Sequence, residues 1–235
     1  MREGRRGRPV RAFFVTASGT GVGKTVVACL LCRQLSAAGT RVRAVKPVIT
    51  GFADDAPGGT DTALLLDAQG LAATPEAIAE ASPWRFRAAL SPDMAARREG
   101  RSIDFRRLVD FCRGLRDEAG DVLLIEGLGG VLVPLTERET VADWIAALAV
   151  PALLVTGSYL GTLSHTLTAA EALKARGVSV AAVIVSESAD SPVPLAETVE
   201  TLERFVTPVL ALPRLNDTGD WRAAPDLTGA LTPVS

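Results

Sequence analysis

Histidine occurs once in the 235 residues and cysteine three times. With one histidine, His165, no array of His and Cys that would hold zinc is expected. Three cysteines do not make a disulfide framework. Cys29-Leu-Leu-Cys32 has redox-motif spacing, but it lies among Val26, Val27, Leu30, Leu31 and Leu35. In such an apolar helical stretch free cysteine packs as a small hydrophobe, and Cys112 reads the same way. No run of 18 apolar residues suggests a membrane span. The net charge of −2 supplies no field that would favour nucleic acid or an anionic membrane. The head, Met1 to Arg11, departs from this with five arginines. It is expected as a flexible tail, a weak nucleic-acid arm being the other reading. No long apolar segment follows it, and cleavage there would damage the glycine-rich loop that begins at Thr16. A secretory signal is therefore not expected, and the cytoplasm is the default compartment.

That loop is the most informative part of the chain. The apolar run Ala12-Phe13-Phe14-Val15 leads into Thr16-Ala17-Ser18-Gly19-Thr20-Gly21-Val22-Gly23-Lys24-Thr25, and an apolar helical stretch follows. A strand, a glycine-rich turn, Gly-Lys-Thr and a helix form a phosphate-binding loop. Glycine lets the backbone approach the phosphates, and the N–H groups of loop and helix point at the anion. Lys24 places a charge on the β- and γ-phosphates, and the Thr25 hydroxyl can ligate Mg²⁺. The strict pattern wants glycine where Ser18 stands. The bland alternative is a glycine-rich turn with a buried, paired lysine.

With 48% hydrophobic and 22% charged residues, the composition is that of a globular domain with a large core. Strands are expected at Ala12–Val15, Val42–Val45, Val122–Ile125, Ala152–Val155, Val180–Val185 and Val209–Leu212. Helices are expected at Lys24–Ala38, Thr62–Ala68, Phe105–Glu118, Val141–Ala149, Ser164–Ala175 and Val193–Phe205. The continuous apolar strands suit a sheet covered on both faces. The alternation predicts an α/β fold: one P-loop NTPase-like domain over 12–235 with a doubly wound, mostly parallel sheet. Gly51–Thr60 reads as a loop and Ala81–Ser102 as irregular.

Ligands of such sheets sit at the carboxyl ends of strands, where the unusual residues gather. Lys46 closes the second strand, and Pro47 keeps it extended; it can reach a γ-phosphate or an anionic substrate, or it is a salt-bridged surface lysine. Asp61 opens a helix and reads first as a first-turn acid. Glu126 ends a buried strand before Gly127-Leu128-Gly129-Gly130. A carboxylate there needs a cation, and Mg²⁺ beside Thr25 would be that cation. Gly157 to His165 offers free N–H groups at a helix start. The lone His165 reads as structural rather than as a catalytic base.

Val-Thr-(x)4-Gly-Val-Gly-Lys-Thr, Lys-Pro-Val-x-Thr-Gly, Ser-Pro-x-x-Ala-Ala, Glu-Gly-x-Gly-Gly-x-x-Val-Pro-Leu and Leu-Gly-x-x-x-His occur in this order. Together they resemble dethiobiotin synthase, from Phe13 to about Leu215. The resemblance implies an ATP- and Mg²⁺-dependent ligase that closes a cyclic urea on 7,8-diaminononanoate with CO₂, in biotin synthesis. It also implies site roles. Lys46, Lys24 and Thr20 would be catalytic. Gly21, Val22, Gly23, Thr25 and Val26 would hold the nucleotide, with Gly127, Leu128 and Gly129. Thr25, Asp61 and Glu126 would hold Mg²⁺. Ser186 and Pro213-Arg214-Leu215 would lie near the adenine. Thr50, Gly161 and Ser164 would contact substrate, the last two across a homodimer interface. The chain departs from the family at Ala17-Ser18-Gly19, at Asp93 (usually His), and at Ser164 and Ser186 (usually Asn). Two other readings fit a phosphate loop. A partitioning-type ATPase switch would carry a signature lysine where this chain has Gly19. A related amide-forming enzyme would carry a glutaminase domain.

Overall fold

A computed structural model describes residues 10–53, 57–117, 120–189, 191–215 and 221–231. The expectation for the arginine-rich head falls, but for its last two residues, outside them. Six strands make an all-parallel sheet in the order β2-β5-β1-β6-β7-β8. They are β1 (Arg11–Ala17), β2 (Val42–Val45), β5 (Val122–Glu126), β6 (Ala152–Gly157), β7 (Val180–Ser186) and β8 (Val209–Leu212). All six were expected, with ends that differ by one or two residues. A second, two-stranded sheet pairs β3 (Val48–Thr50) with β4 (Trp84–Phe86) in parallel. The helices are α1 (Lys24–Ala37), α2 (Asp61–Ala68), α3 (Pro75–Ala81), α4 (Pro92–Arg98), α5 (Phe105–Gly114), α6 (Val141–Leu148), α7 (Thr162–Lys174) and α8 (Leu195–Glu203).

The sheet separates two apolar layers, because successive side chains of a strand point to opposite faces. Phe13 and Val15 of β1 face α1, through Val27, Leu30, Leu31 and Leu35. Phe14 faces the other way, toward α5, α6 and α7. Its ring meets Trp144 edge-on, with centroids 4.8 Å apart. Cys32 and Cys112 are buried in these layers. Burial pushes the Cys29 and Cys112 thiols up to about 12 and Cys32 up as well, so they stay protonated. The core-packing role expected for them holds.

Ala81–Ser102 is not irregular throughout. It contains β4 and α4, and α4 starts on Pro92 at its first turn. Strand β4 brings the chain back beside β3. Gly51 N–H donates to Ala88 C=O at 3.1 Å and Phe52 N–H to Phe86 C=O at 2.9 Å. This small sheet carries Thr50 and the Ala88–Pro92 segment toward the carboxyl rim of the main sheet.

Gly127, just past the end of β5, has no room for a side chain. A Cβ there would stand 2.6 Å from Phe14 Cε1. Gly127→Ala must displace the Phe14–Trp144 contact, at a cost of about 1–3 kcal/mol. Urea unfolding of the variant should show a lower midpoint with an unchanged slope.

Candidate active site

The phosphate loop leaves the sheet at the carboxyl end of β1, between β5 and β6. Gly23 stands before α1 in the left-handed region, at φ 98°, a conformation that favours glycine. The first turn of α1 thus presents Lys24 and Thr25 at the rim. Lys24 folds back over the loop. Its Nζ donates to Gly129 C=O at 2.8 Å and Gly19 C=O at 3.2 Å. Burial, and then the nearby Lys46 ammonium, lower its pKa to about 8.

Lys46 follows β2 and is 4% exposed. Its backbone is fixed from α3: Lys46 N–H donates to Ala81 C=O at 3.2 Å. The Ser82 hydroxyl donates to Lys46 C=O at 2.6 Å and contacts the Thr62 hydroxyl at 2.7 Å. Lys46 Nζ then bridges two carboxylates, at 2.5 Å from Glu126 Oε1 and 2.8 Å from Asp61 Oδ2. Burial alone would lower the Lys46 pKa, but Glu126 and Asp61 outweigh it and hold the ammonium above its usual range. For Asp61 burial raises the pKa, and Lys46 outweighs it, so the carboxyl lies below its usual range. The lysine is not a surface salt bridge, and Asp61 does more than begin a helix. The cap of α2 is Thr60, whose side chain accepts from Ala63 N–H at 3.3 Å.

Glu126 is 1% exposed and ends β5, level with Val15 of β1. Oε1 also accepts from the Thr25 hydroxyl at 2.7 Å. Oε2 is buried without a hydrogen-bond partner. A buried carboxylate oxygen left unpaired is costly, and its carboxylate shares this corner of the site with the oxygens of Thr25 and Asp61. Among the described residues no three His, Cys, Asp or Glu cluster as a self-sufficient metal cage. Mg²⁺ does not need one: it binds through one or two carboxylates together with phosphate oxygens and water. Thr25, Asp61 and Glu126 fit that requirement.

These groups surround one cavity of about 680 Å³. Thr20, Gly21, Gly23, Lys24, Thr25, Val26, Lys46, Thr50, Asp61, Leu128 and Gly129 line it, with Glu126 directly behind Lys46. The opposite wall is Ala89 to Pro92, which the site reading had missed; the Ser91-Pro92 block was the signal available. Ser186 is not in this lining. It ends β7 under the loop, where a Cβ on Gly23 would stand 2.8 Å from its Oγ. Leu215 lines a smaller hollow with Val26 and Cys29, and Arg214 N–H donates to Glu187 Oε2 at 2.8 Å. Val22, Gly127 and Pro213 are also absent from the cavity lining. Gly161 and Ser164 lie elsewhere, on an exposed turn where Leu160 is 88% exposed. On that turn His165 Nδ1 contacts the Tyr159 hydroxyl at 2.9 Å.

A family model described as an AAA domain matches residues 11–220. Relatives named ATP-dependent dethiobiotin synthetase BioD resemble the chain over nearly their whole length. The one from Acidiphilium cryptum is 46% identical over 212 residues, 90% of this chain and 95% of the relative. That from Methylobacterium nodulans is 47% identical over 196 residues, 81% of this chain and 87% of the relative. Solved structures share the fold at low identity. The septum site-determining protein MinD of Pyrococcus horikoshii, complexed with Mg-ADP, has a TM-score of 0.53 at 19% identity. The match covers 87% of this chain and 81% of that one. The signal recognition particle receptor FtsY of Elizabethkingia anophelis, in complex with GDP, scores 0.54 at 13% identity. Here the match covers 98% of this chain and 64% of that one.

Lys24 must be protonated to attract phosphate, and in the free protein it loses its proton near pH 8. Nucleotide binding would raise that pKa, so binding takes up a proton once the pH exceeds about 8. Affinity should hold steady below that pH and fall by up to about tenfold per unit above it. Calorimetric titration of Mg-ADP between pH 7 and pH 9.5 reads this directly.

Proposed function

We propose a function for this site from one premise: the chain belongs to the family of ATP-dependent dethiobiotin synthetases. The reaction is the ATP-dependent closure of a cyclic urea on 7,8-diaminononanoate. CO₂ adds to one amine, which loses a proton, and a carbamate forms. The terminal phosphoryl group of ATP passes to a carbamate oxygen, leaving ADP. The second amine attacks the carbon of the phosphorylated carbamate, the C–O bond to phosphate breaks, the amine's proton leaves with the phosphate, and dethiobiotin results. The enzyme is a ligase that forms C–N bonds.

The difficulty is electrostatic, since a carbamate and a triphosphate repel. The observation that carries the reading is the gathering of two lysines, two carboxylates and the loop N–H groups at one cavity. The loop from Thr20 to Val26 cradles the phosphates, and Lys24 exchanges its carbonyl partners for phosphate oxygens. Thr25, Asp61 and Glu126 hold Mg²⁺, which when bound neutralises charge on the phosphates. Lys46 turns its ammonium to the carbamate and holds it in line with the phosphoryl group; such fixed charges act by positioning and preorganisation. The Thr50 hydroxyl, at the end of β3, orients an amine of the substrate. Leu128 and Gly129 close the loop side of the cavity. Ser186, Pro213, Arg214 and Leu215 form the adenine side.

Gly161 and Ser164 carry the substrate's carboxylate in this reading, and they do so for a second copy of the chain. Two features support a homodimer. The Gly161–Ser164 turn is separate from its own cavity, and it exposes Leu160 almost fully. Among the described residues no helix is long and apolar enough to cross a membrane. The cytoplasm, where ATP and a small amine acid meet, is the compartment we assign.

The deciding experiment is mass spectrometry of the product from diaminononanoate, bicarbonate, Mg²⁺ and ATP. Phosphate should appear only when amine and bicarbonate are both present. A nucleotide switch of the partitioning type would ignore that pair. Lys46→Ala should abolish ring closure yet keep nucleotide affinity within a few-fold of wild type. Near-normal turnover by this variant would remove Lys46 from the reaction. For the dimer, sedimentation should give twice the 24.6 kDa chain mass. Leu160→Asp should shift the protein to monomer and raise KM for diaminononanoate more than KM for ATP.

A further inference from the structure

The phosphate loop is tied to the rest of the sheet by hydroxyl groups that the reaction itself does not use. Ser18 is the first residue beyond β1, and its N–H donates to Val155 C=O of β6 at 3.0 Å. Its hydroxyl lies 2.8 Å from Thr156 Oγ1. Thr156 Oγ1 in turn lies 2.9 Å from Thr162 Oγ1 and 2.8 Å from Thr166 Oγ1. Thr162 Oγ1 is 2.5 Å from Gly157 C=O, and Thr166 Oγ1 is 2.7 Å from Thr162 C=O. Thr156, Thr162 and Thr166 are each no more than 1% exposed, so water does not supply their partners.

Each hydroxyl has one proton and two lone pairs, and the direction that follows is the one with the fewest shared protons. A carbonyl only accepts, so Thr162 gives its proton to Gly157 C=O. Thr162 must then accept from Thr156. Thr156, its proton spent, accepts from both Ser18 and Thr166. Thr166 shares its proton between Thr156 and Thr162 C=O. The Ser18 proton is therefore committed to Thr156 and cannot be offered to an anion in the cavity.

We propose that Thr156 is a positioning residue for the phosphate loop, acting through Ser18, and that this hydroxyl chain ties loop geometry to the first turn of α7. Ser18 is held to β6 through both its backbone and its side chain. The next residue is Gly19, whose carbonyl receives Lys24, so the anchor sets where the loop and its lysine rest. At the other end the chain closes on Gly157, the last residue of β6, and Thr162, the first residue of α7. The inference rests on the phosphate loop binding nucleotide, and not on which amine is the second substrate.

The test is a double-mutant cycle read as Mg-ADP affinity by calorimetry, with melting temperature measured alongside. Wild-type protein that fails to bind Mg-ADP would overturn the nucleotide reading and this inference together. With binding established, Thr156→Val removes the contacts to Ser18, Thr162 and Thr166 together; only the Ser18 bond reaches the loop, so affinity should weaken by about tenfold, as for one lost buried hydrogen bond. Thr156→Ser keeps the hydroxyl and should bind within about twofold of wild type. Ser18→Ala, which cuts the same bond from its more exposed end, should match Thr156→Val. The double variant should be no weaker than either single one. Additive losses would overturn the proposal. So would a Ser18→Ala loss with unchanged affinity in Thr156→Val, because Ser18 would then be donating to the anion. Thr156→Ser as weak as Thr156→Val would assign the effect to the methyl group instead. Should Thr156→Val not fold, Ser18→Ala and Thr156→Ser decide alone: a loss in the first with rescue in the second supports the chain. Unchanged affinity in Ser18→Ala sinks it.

Discussion

The site depends on the ammonium of Lys46 held between Glu126 and Asp61. Glu126 ends a central strand with almost no exposure, and an uncompensated charge in that position is strongly disfavoured. Lys46 compensates it, and the arrangement works only because β2 and β5 are neighbours in the sheet. Strand pairing puts the two residues within reach before any side chain is chosen. Asp61 then adds a second carboxylate from α2, partly open to solvent. The result is a short row of alternating charges on the rim, facing the anions that the reaction brings in.

This charge pattern also explains why Lys24 differs from Lys46. Both are buried, yet Lys46 has two carboxylates and Lys24 has only carbonyl oxygens. Desolvation therefore dominates at Lys24 and is outweighed at Lys46. A lysine without a full counter-charge is an unsatisfied cation poised for phosphate. The lysine with two counter-charges gains less from another anion, and suits orientation more than capture. In the proposed function the two residues would divide binding and positioning by their partners, although they are the same amino acid.

Much of this was legible in the chain. Continuous apolar runs stand out from the polar segments around them, and all six strands of the main sheet were found from them. The signature loop and the acid at the end of β5 also stood out, because buried charge and clustered glycine are locally unusual. The small β3–β4 sheet was not legible: three residues per strand carry no periodicity. Helices α3 and α4 are seven residues long and start on proline, so α3 drew no helix reading and α4 fell in the stretch read as irregular. The wall from Ala89 to Pro92 followed them into obscurity. Thr156, Thr162 and Thr166 gave no signal at all. A threonine in a strand or helix looks ordinary until the distance to Ser18, 138 residues away in the chain, is known.

Every strand of the main sheet points the same way, so every helix-to-strand return lies on the rim opposite the cavity. Turns such as Gly39 before β2 and Gly177 before β7 belong to that far side, where none of the reacting groups resides. Among the described residues the candidate site therefore lies at one end of the sheet only. A peptide tag or surface tether grafted into the Gly177 turn would leave the catalytic rim open to solution, which makes that end the natural handle for immobilising the protein.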